Sequence, residues 1–159
     1  MVTVTVLLAV AVAASLFGLF PVPYAEEETP EILKIVSISH YNDKKELTYA
    51  GVITLKNIAY EPLENREYGI WLSVNGKRQN VRIETLNSRD FIETHHYGVR
   101  LIKGAGPQGD FWESGYRGVI DIIDLLIHPG DLVSVEVYRL DTEEVVSYSE
   151  FTAPSVFVQ

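Results

Sequence analysis

Hydrophobic and polar positions divide the chain into two parts with different patterns. Residues 1–20 carry no charged side chain, and their apolar positions run all the way round a helix without leaving one polar face. A helix of twenty residues spans roughly 30 Å, the thickness of the hydrocarbon core of a bilayer. The pattern therefore predicts a hydrophobic N-terminal helix over residues 1–20 that is buried on every side.

Two prolines and an acidic run follow this segment. Pro21 and Pro23 lack backbone donors, and their rings clash with the preceding helical turn, so we expect the helix to stop or kink near Phe20. Residues 21–31 are predicted to form a neck. The glutamates at 26–28 belong to that neck, where a run of like charges is expected to be solvated.

The remaining residues, 32–159, show short runs rich in Val, Ile, Tyr and Thr that are separated by turn signals. This pattern is typical of an all-β sandwich. We expect strands near 32–40, 47–57, 68–74, 77–85, 93–102, 118–127, 131–140 and 143–151. The pair at 75–76, Asn-Gly, predicts a tight hairpin, and "HPGD" at 128–131 predicts a type II turn. The predicted fold class is α+β, with a long N-terminal hydrophobic helix followed by an all-β sandwich head.

Charge and cysteine content exclude several classes of function. The 13 Lys and Arg residues against 22 Asp and Glu residues give a net charge of −9, which repels phosphate backbones, so no nucleic-acid partner is expected. The chain has no cysteine, which excludes disulfides, a thiolate nucleophile and a cysteine-based metal site.

Candidate catalytic and metal-binding residues do not combine into a site. His95 and His96 are adjacent in a predicted strand and point to opposite faces, so they cannot hold one ion together without a bulge. Asp121, Asp124 and Asp131 do not have the spacing of a known calcium loop. No nucleophile elbow and no phosphate-binding loop occurs in the sequence. We expect a protein that is not an enzyme, with no catalytic residue, cofactor or metal.

The longest irregular segment, residues 103–118, carries Phe111, Trp112 and Tyr116. Long loops in small domains are often functional. The three aromatic side chains either fold back as a lid on the sandwich or pack on a neighbouring subunit.

An uncharged N-terminal segment joined to a β-rich body resembles the archaeal type IV pilin family. The body contributes to this resemblance through "GVITLKNIAYEPL", the "VNG" hairpin, "HPGDLVSVEV" and "EEVVSYSEF". The resemblance implies an immunoglobulin-like head and a class III signal peptide cut by a prepilin peptidase. It also implies a pool in the cytoplasmic membrane and an assembly platform with an ATPase. The function it implies is a structural subunit of an extracellular filament for surface adhesion, and archaellins of motility filaments share the same plan.

In such a filament the N-terminal helix would form the core of a homopolymer, since small residues let helix backbones approach closely. The predicted core contacts are Val2, Val4, Val6, Leu7, Leu8, Val10, Ala11, Ala14, Leu16, Phe17 and Phe20. The apolar tail "SVFVQ" is a candidate for strand exchange between subunits. Two alternatives from other classes are a membrane-anchored extracellular β-sandwich that binds a partner, and an extracellular enzyme.

Overall fold

Residues 29–41, 44–91 and 96–155 are described by the computed structural model. Within these ranges the chain forms ten strands and one turn of 3₁₀ helix at Ser88–Asp90. The strands are β1 (Leu33–Tyr41), β2 (Leu47–Asn57), β3 (Leu63–Glu64), β4 (Tyr68–Val74), β5 (Lys77–Ile83), β6 (Val99–Lys103), β7 (Phe111–Trp112), β8 (Arg117–Ile122), β9 (Leu132–Arg139) and β10 (Val145–Thr152).

Eight of these strands form two antiparallel sheets of four. The first sheet has the order β1-β2-β8-β6 and the second has the order β10-β9-β4-β5, while β3 and β7 form a separate short pair. If the two short strands are set aside, this is the strand order of an immunoglobulin-like sandwich, with one strand added beside the third.

Alternating apolar residues place the core between the two sheets. In β9, Val133, Val135 and Val137 are at most 1% exposed, and β1 contributes Leu33 and Ile35 in the same way. Strands in which every second side chain is apolar bury one face and leave the other polar. The core is therefore made from the inner faces of both sheets, as the alternation in the sequence predicts.

All eight predicted strands have a counterpart in the structure, and two of them differ from the prediction by more than two residues at one end. The strand expected at 93–102 is observed at 99–103, and residues 92–95 lie outside the described ranges. The strand expected at 118–127 ends at Ile122, because the chain then turns and inserts Ile127 into the core. A turn in which Leu125 has a positive φ of 65° separates the two.

Serine hydroxyl groups join the two sheets where β1 lies beside β10. The Ser147 hydroxyl oxygen accepts bonds from the backbone N–H groups of Ile32 and Leu33, at 2.8 and 3.1 Å. The Ser149 hydroxyl oxygen accepts a bond from the N–H of Ile35 at 2.9 Å. These bonds satisfy backbone donors of an edge strand that has no partner strand on that side. We call this contact the serine seam.

Two expectations about the fold and assembly are wrong. The class α+β is overturned because the described residues form an all-β fold with antiparallel sheets, and their helical structure is a 3₁₀ turn of three residues. The interpretation as a helix-cored pilin polymer with a class III signal peptide is wrong for the same reason, since the described chain is all-β and supplies no helical core. In the described part of the chain, no helix has the length and apolar character needed to cross a bilayer.

The residues on which the helical interpretation was based lie elsewhere in the chain. Residues 1–20, with all the predicted core contacts, and Pro21 and Pro23 are outside the described ranges. Of the predicted neck, residues 29–31 are described, and they lead directly into β1. The division into residues 1–20, 21–31 and 32–159 stays a prediction.

Candidate interaction surface

The long loop at 103–118 divides its three aromatic side chains between the core and the solvent. Trp112 is 1% exposed and belongs to the core, whereas Phe111 and Tyr116 are half exposed. The Trp112 indole N–H donates a bond of 2.9 Å to the carbonyl oxygen of Tyr116. Trp112 thus folds back on the sandwich, and the other two rings remain at the surface.

Two glycines make room for the Trp112 ring. A Cβ atom at Gly106 or at Gly118 would overlap the indole ring. Two buried asparagines hold the surrounding loop. The Asn65 side-chain amide donates to the carbonyl oxygens of Gly106 and Gly109, at 2.9 and 2.8 Å, and the Asn57 amide donates to that of Trp112 at 2.8 Å. This loop is a fixed part of the fold.

The histidines and aspartates that the sequence singles out are dispersed. His96 is buried, stacks on Phe91 with ring centroids 4.7 Å apart, and accepts a bond at Nδ1 from the N–H of Glu84. His95 lies outside the described residues. Within the described ranges, no three His, Asp or Glu side chains, including Asp121, Asp124 and Asp131, come together as metal ligands.

Asp131 closes the turn before β9. Its carboxylate accepts a bond from the backbone N–H of His128 at 2.7 Å and one from the side-chain amide of Asn75 at 2.8 Å. Both bonds favour the charged form, so they lower the pKa of Asp131 below its usual range, and the His128 N–H is the larger cause. Asp131 therefore stabilises the folded state fully at pH values above the pKa of an unfolded aspartate, about 3.9. This stabilisation is lost as the pH falls through the lower pKa of Asp131 in the folded state.

Asp131→Asn is expected to make the free energy of unfolding less dependent on pH between pH 7 and pH 3. The variant should be less stable than the wild type at pH 7, and the difference should shrink at pH 3, because the wild-type carboxyl group is then becoming protonated. Urea unfolding at the two pH values measures both differences. Glu61→Gln is the matched control, since Glu61 is exposed. Equal differences for Asp131→Asn at pH 7 and pH 3 would contradict this role.

Exposed apolar side chains collect at one end of the first sheet, where β1 and β8 end and β2 and β6 begin. We call this end the apical surface. Its residues are Tyr41, Leu47, Tyr49, Tyr97, Ile123 and Leu125, with exposed fractions of 38, 41, 37, 61, 41 and 64%. Isolated apolar residues on a surface are ordinary, but a contiguous group marks an interaction site.

Backbone contacts join these residues into one surface. Tyr41 and Leu47 are cross-strand partners in the β1–β2 hairpin. The N–H of Leu125 donates to the carbonyl oxygen of Tyr49 at 3.0 Å, and the N–H of Ile123 donates to that of Gly98, beside Tyr97, also at 3.0 Å. The backbones of the hairpin, the turn after β8 and the start of β6 therefore lie next to one another at this end of the sheet.

Two residues of the apical surface have a strained backbone. Tyr49 has a φ of 53° and Leu125 a φ of 65°. The left-handed region costs a bulky L-residue roughly 1–2 kcal/mol, and such strain is concentrated at functional sites. Because glycine or asparagine would avoid most of this cost, the presence of Tyr and Leu points to a use for their exposed side chains.

An ion pair fixes the turn that carries Leu125. The Arg100 guanidinium of β6 donates two bonds to the carboxylate of Asp124, at 2.9 and 2.8 Å. A bidentate pair of this kind adds geometric definition to the energy of the contact. Leu125 is thus held out from the sandwich by its neighbour.

The sequence did not reveal this surface. The stretch "DIIDLLI" at 121–127 satisfies the period of a strand, and a strand would bury about half of its apolar residues. One signal was present: Asp124 follows an apolar strand, and aspartate is common where a turn begins.

Comparisons with known proteins find similarity in structure. No protein-family model matches the chain, and no curated protein matches it. One similar structure is the archaellum periplasmic stator protein complex of FlaF and FlaG from Sulfolobus acidocaldarius, with 9% identity and a TM-score of 0.45, over 80% of this chain and 92% of that one. The stator protein FlaG from the same organism is another, with 8% identity and a TM-score of 0.42, over 75% of this chain and 95% of that one. At these identities neither likeness extends to function.

Proposed function

We propose that this protein is a non-enzymatic β-sandwich of the cell envelope that binds another protein through its apical surface. The observation that carries the proposal is the exposure of Tyr49 and Leu125 at strained backbone positions, joined by a hydrogen bond. A fold that only needed to close a turn would place smaller residues there.

The composition of the surface favours a protein as the ligand. Three of its six residues are tyrosines, and tyrosine is enriched at the centres of protein interfaces, where it buries a large ring at low entropic cost. The backbone bonds and the Arg100–Asp124 pair hold the surface in one shape before it binds. A preorganised surface loses less entropy on association.

The partner we propose is a different protein and not a second copy of this chain. With a net charge of −9, two copies repel each other during approach, and this repulsion slows encounter and weakens binding. A neutral or basic protein with an apolar patch has no such barrier. The proposed ligand is therefore a neutral or basic protein of the same cell-surface assembly. An archaeal filament system is the setting that the sequence resemblance indicates.

Attachment to a membrane is part of this proposal. Residues 1–20 are uncharged and apolar, and about twenty such residues suffice to enter a bilayer. The chain enters the sandwich at the start of β1, whereas the apical surface lies at the end of β1. Nine residues of strand separate these ends by about 30 Å, which leaves the apical surface accessible on an attached protein.

Leu125→Asn is expected to weaken partner binding about 30-fold, the loss of roughly 2 kcal/mol that is usual for a central interface residue. Asparagine tolerates the left-handed region, so the free energy of unfolding should change by less than about 1 kcal/mol. Binding is measured in cells by photo-crosslinking from a benzoylphenylalanine that replaces Tyr97. Leu140→Asn is the matched control. Leu140 is 38% exposed and follows Arg139, the last residue of β9 in the second sheet, so it is not part of the apical surface.

Three results would contradict the proposal. An adduct with the mass of two copies would identify a second copy as the ligand. Tyr60 is 97% exposed and lies away from the apical surface. If a photo-reactive residue at position 60 gave the same yield of adducts as one at position 97, the partner would contact the protein without a defined site. Equal loss of crosslinking in Leu125→Asn and Leu140→Asn would show that the apical surface has no special part in binding.

A further inference from the structure

Three cations lie side by side on the outer face of the first sheet, at the end opposite to the apical surface. Lys34 of β1 is the register partner of Lys56 of β2, and Lys56 is the register partner of Arg117 of β8. Their neighbours Leu33, Leu55 and Gly118 are buried, so the three cations share the outer face. We call them the basal row.

Such a row is unfavourable in an isolated sandwich. Like charges directly opposite each other on neighbouring strands destabilise the sheet, and an acidic protein has carboxylates available to separate them. Among the described residues, Glu31 is the one carboxylate in an ion pair with the row, through Lys34 at 3.0 Å. Lys56 and Arg117 make no ion pair in that part of the chain. Within the described residues, two of the three cations of the row are therefore not compensated by an ion pair.

We propose that the basal row binds the anionic headgroups of the bilayer to which the chain is attached. In this arrangement the outer face of the first sheet contacts the membrane. This inference rests on the membrane attachment in the proposed function. Each Lys or Arg close to an anionic bilayer favours association by an amount equivalent to about a fivefold change.

The position of the row favours a membrane over a soluble acidic ligand. Lys34 is the second residue of β1, so the row lies where the chain arrives from residues 1–28. Eight residues, 21–28, separate the uncharged segment from the first described residue, and they span at most about 28 Å when fully extended. The headgroups of the bilayer to which the chain is attached therefore lie within reach of the row.

The surroundings of the row suit the interface of a bilayer. Tyr116 precedes Arg117 and is 49% exposed, and Ile58, close to Lys56, is 44% exposed. Tyrosine is enriched at the level of the headgroups, where its ring meets both apolar and polar groups. The glutamates at 26–28 and the exposed Glu61 and Glu113 oppose approach to anionic lipid, so the basal row defines the face that can make contact.

The test uses the full chain in lipid nanodiscs. Because the sequence has no cysteine, a single fluorophore can be placed at Thr54→Cys, on the outer face of the first sheet, or at Thr152→Cys, on the second sheet. Quenching by a spin label on the headgroups measures how close each position lies to the lipid. Co-elution of the chain with the nanodiscs tests the attachment separately.

We expect strong quenching at Thr54→Cys in nanodiscs with 30% phosphatidylglycerol, and weak quenching in phosphatidylcholine or in 1 M salt, where charges are screened beyond roughly 3 Å. Lys56→Gln with Arg117→Gln should lower the ratio of docked to free sandwich about 25-fold. Lys77→Gln with Arg89→Gln is the matched control, with the same change in net charge, and should leave the ratio unchanged. Thr152→Cys should show weak quenching throughout.

Two outcomes would overturn the proposal while leaving the attachment intact. One is quenching at Thr54→Cys that is equal in neutral and anionic nanodiscs. The other is binding of a soluble oligoglutamate to the row in neutral nanodiscs, together with quenching at Thr54→Cys that does not change with lipid charge. That result would assign the row to an acidic protein. Circular dichroism of both double variants shows whether the sandwich remains folded, and the salt series on the wild type tests the proposal without any substitution.

Discussion

Trp112→Ala is expected to lower the free energy of unfolding by about 4 kcal/mol, a loss within the range for deleting a fully buried aromatic side chain. The indole fills the space above Gly106 and Gly118 and donates a bond to the Tyr116 carbonyl oxygen, so its removal leaves a cavity and an unpaired acceptor. Urea unfolding followed by circular dichroism measures the change.

The matched control is Trp71→Ala, the same substitution at the other tryptophan of the chain. Trp71 lies on the outer face of the second sheet, where it stacks on Tyr138 with ring centroids 4.1 Å apart and lies under the Arg78 guanidinium. Its loss opens no cavity in the core, so a cost of roughly 1–2 kcal/mol is expected. If Trp112→Ala cost no more than Trp71→Ala, the loop at 103–118 would not depend on its tryptophan.

Replacing both seam serines by alanine is expected to lower the free energy of unfolding by about 3 kcal/mol. The double variant leaves the backbone N–H groups of Ile32, Leu33 and Ile35 without acceptors, and an unsatisfied buried donor costs about 1–3 kcal/mol. The contacts between the sheets elsewhere remain, so the loss should be local to β1 and β10.

Amide hydrogen exchange distinguishes this explanation from a general loss of stability. In Ser147→Ala with Ser149→Ala, the amides of Leu33 and Ile35 should lose protection beyond the global change, whereas the amide of Val135 in β9 should follow the global change. Ser37→Ala is the matched control, because Ser37 is exposed on β1 and should have no effect. If the protection of the Leu33 and Ile35 amides changed only as much as that of the Val135 amide, the serine seam would not be what joins β1 to β10.

Much of the sandwich could be predicted from the sequence, since it follows from local patterns. The alternation in β9 and the Asn75-Gly76 hairpin depend on neighbouring residues, and both are present as expected. The strand at 118–127 was predicted too long because periodicity alone does not show that Ile127 enters the core after a turn. The α+β class failed because it was assigned from residues 1–20, while the described chain is all-β.

The surfaces proposed for binding depend on contacts between distant residues. The apical surface needs the bond between Leu125 and Tyr49, which are 76 positions apart by number, and no local pattern specifies such a pair. The basal row needs the register of β2 against both of its neighbours. A shift of one residue in that register would turn Lys56 toward the core. Only the folded topology brings these side chains together.

The serine seam is also expected to contribute to the resistance of the protein to mechanical load. The chain enters at the start of β1, and the proposed partner is held about 30 Å away at the end of the same strand. Tension between the two attachment points therefore runs along the strand axis, which loads the bonds of β1 to β2 and to Ser147 and Ser149 in shear. Bonds loaded in shear must break together and not one after another, so a tethered sandwich of this kind suits a junction that transmits force.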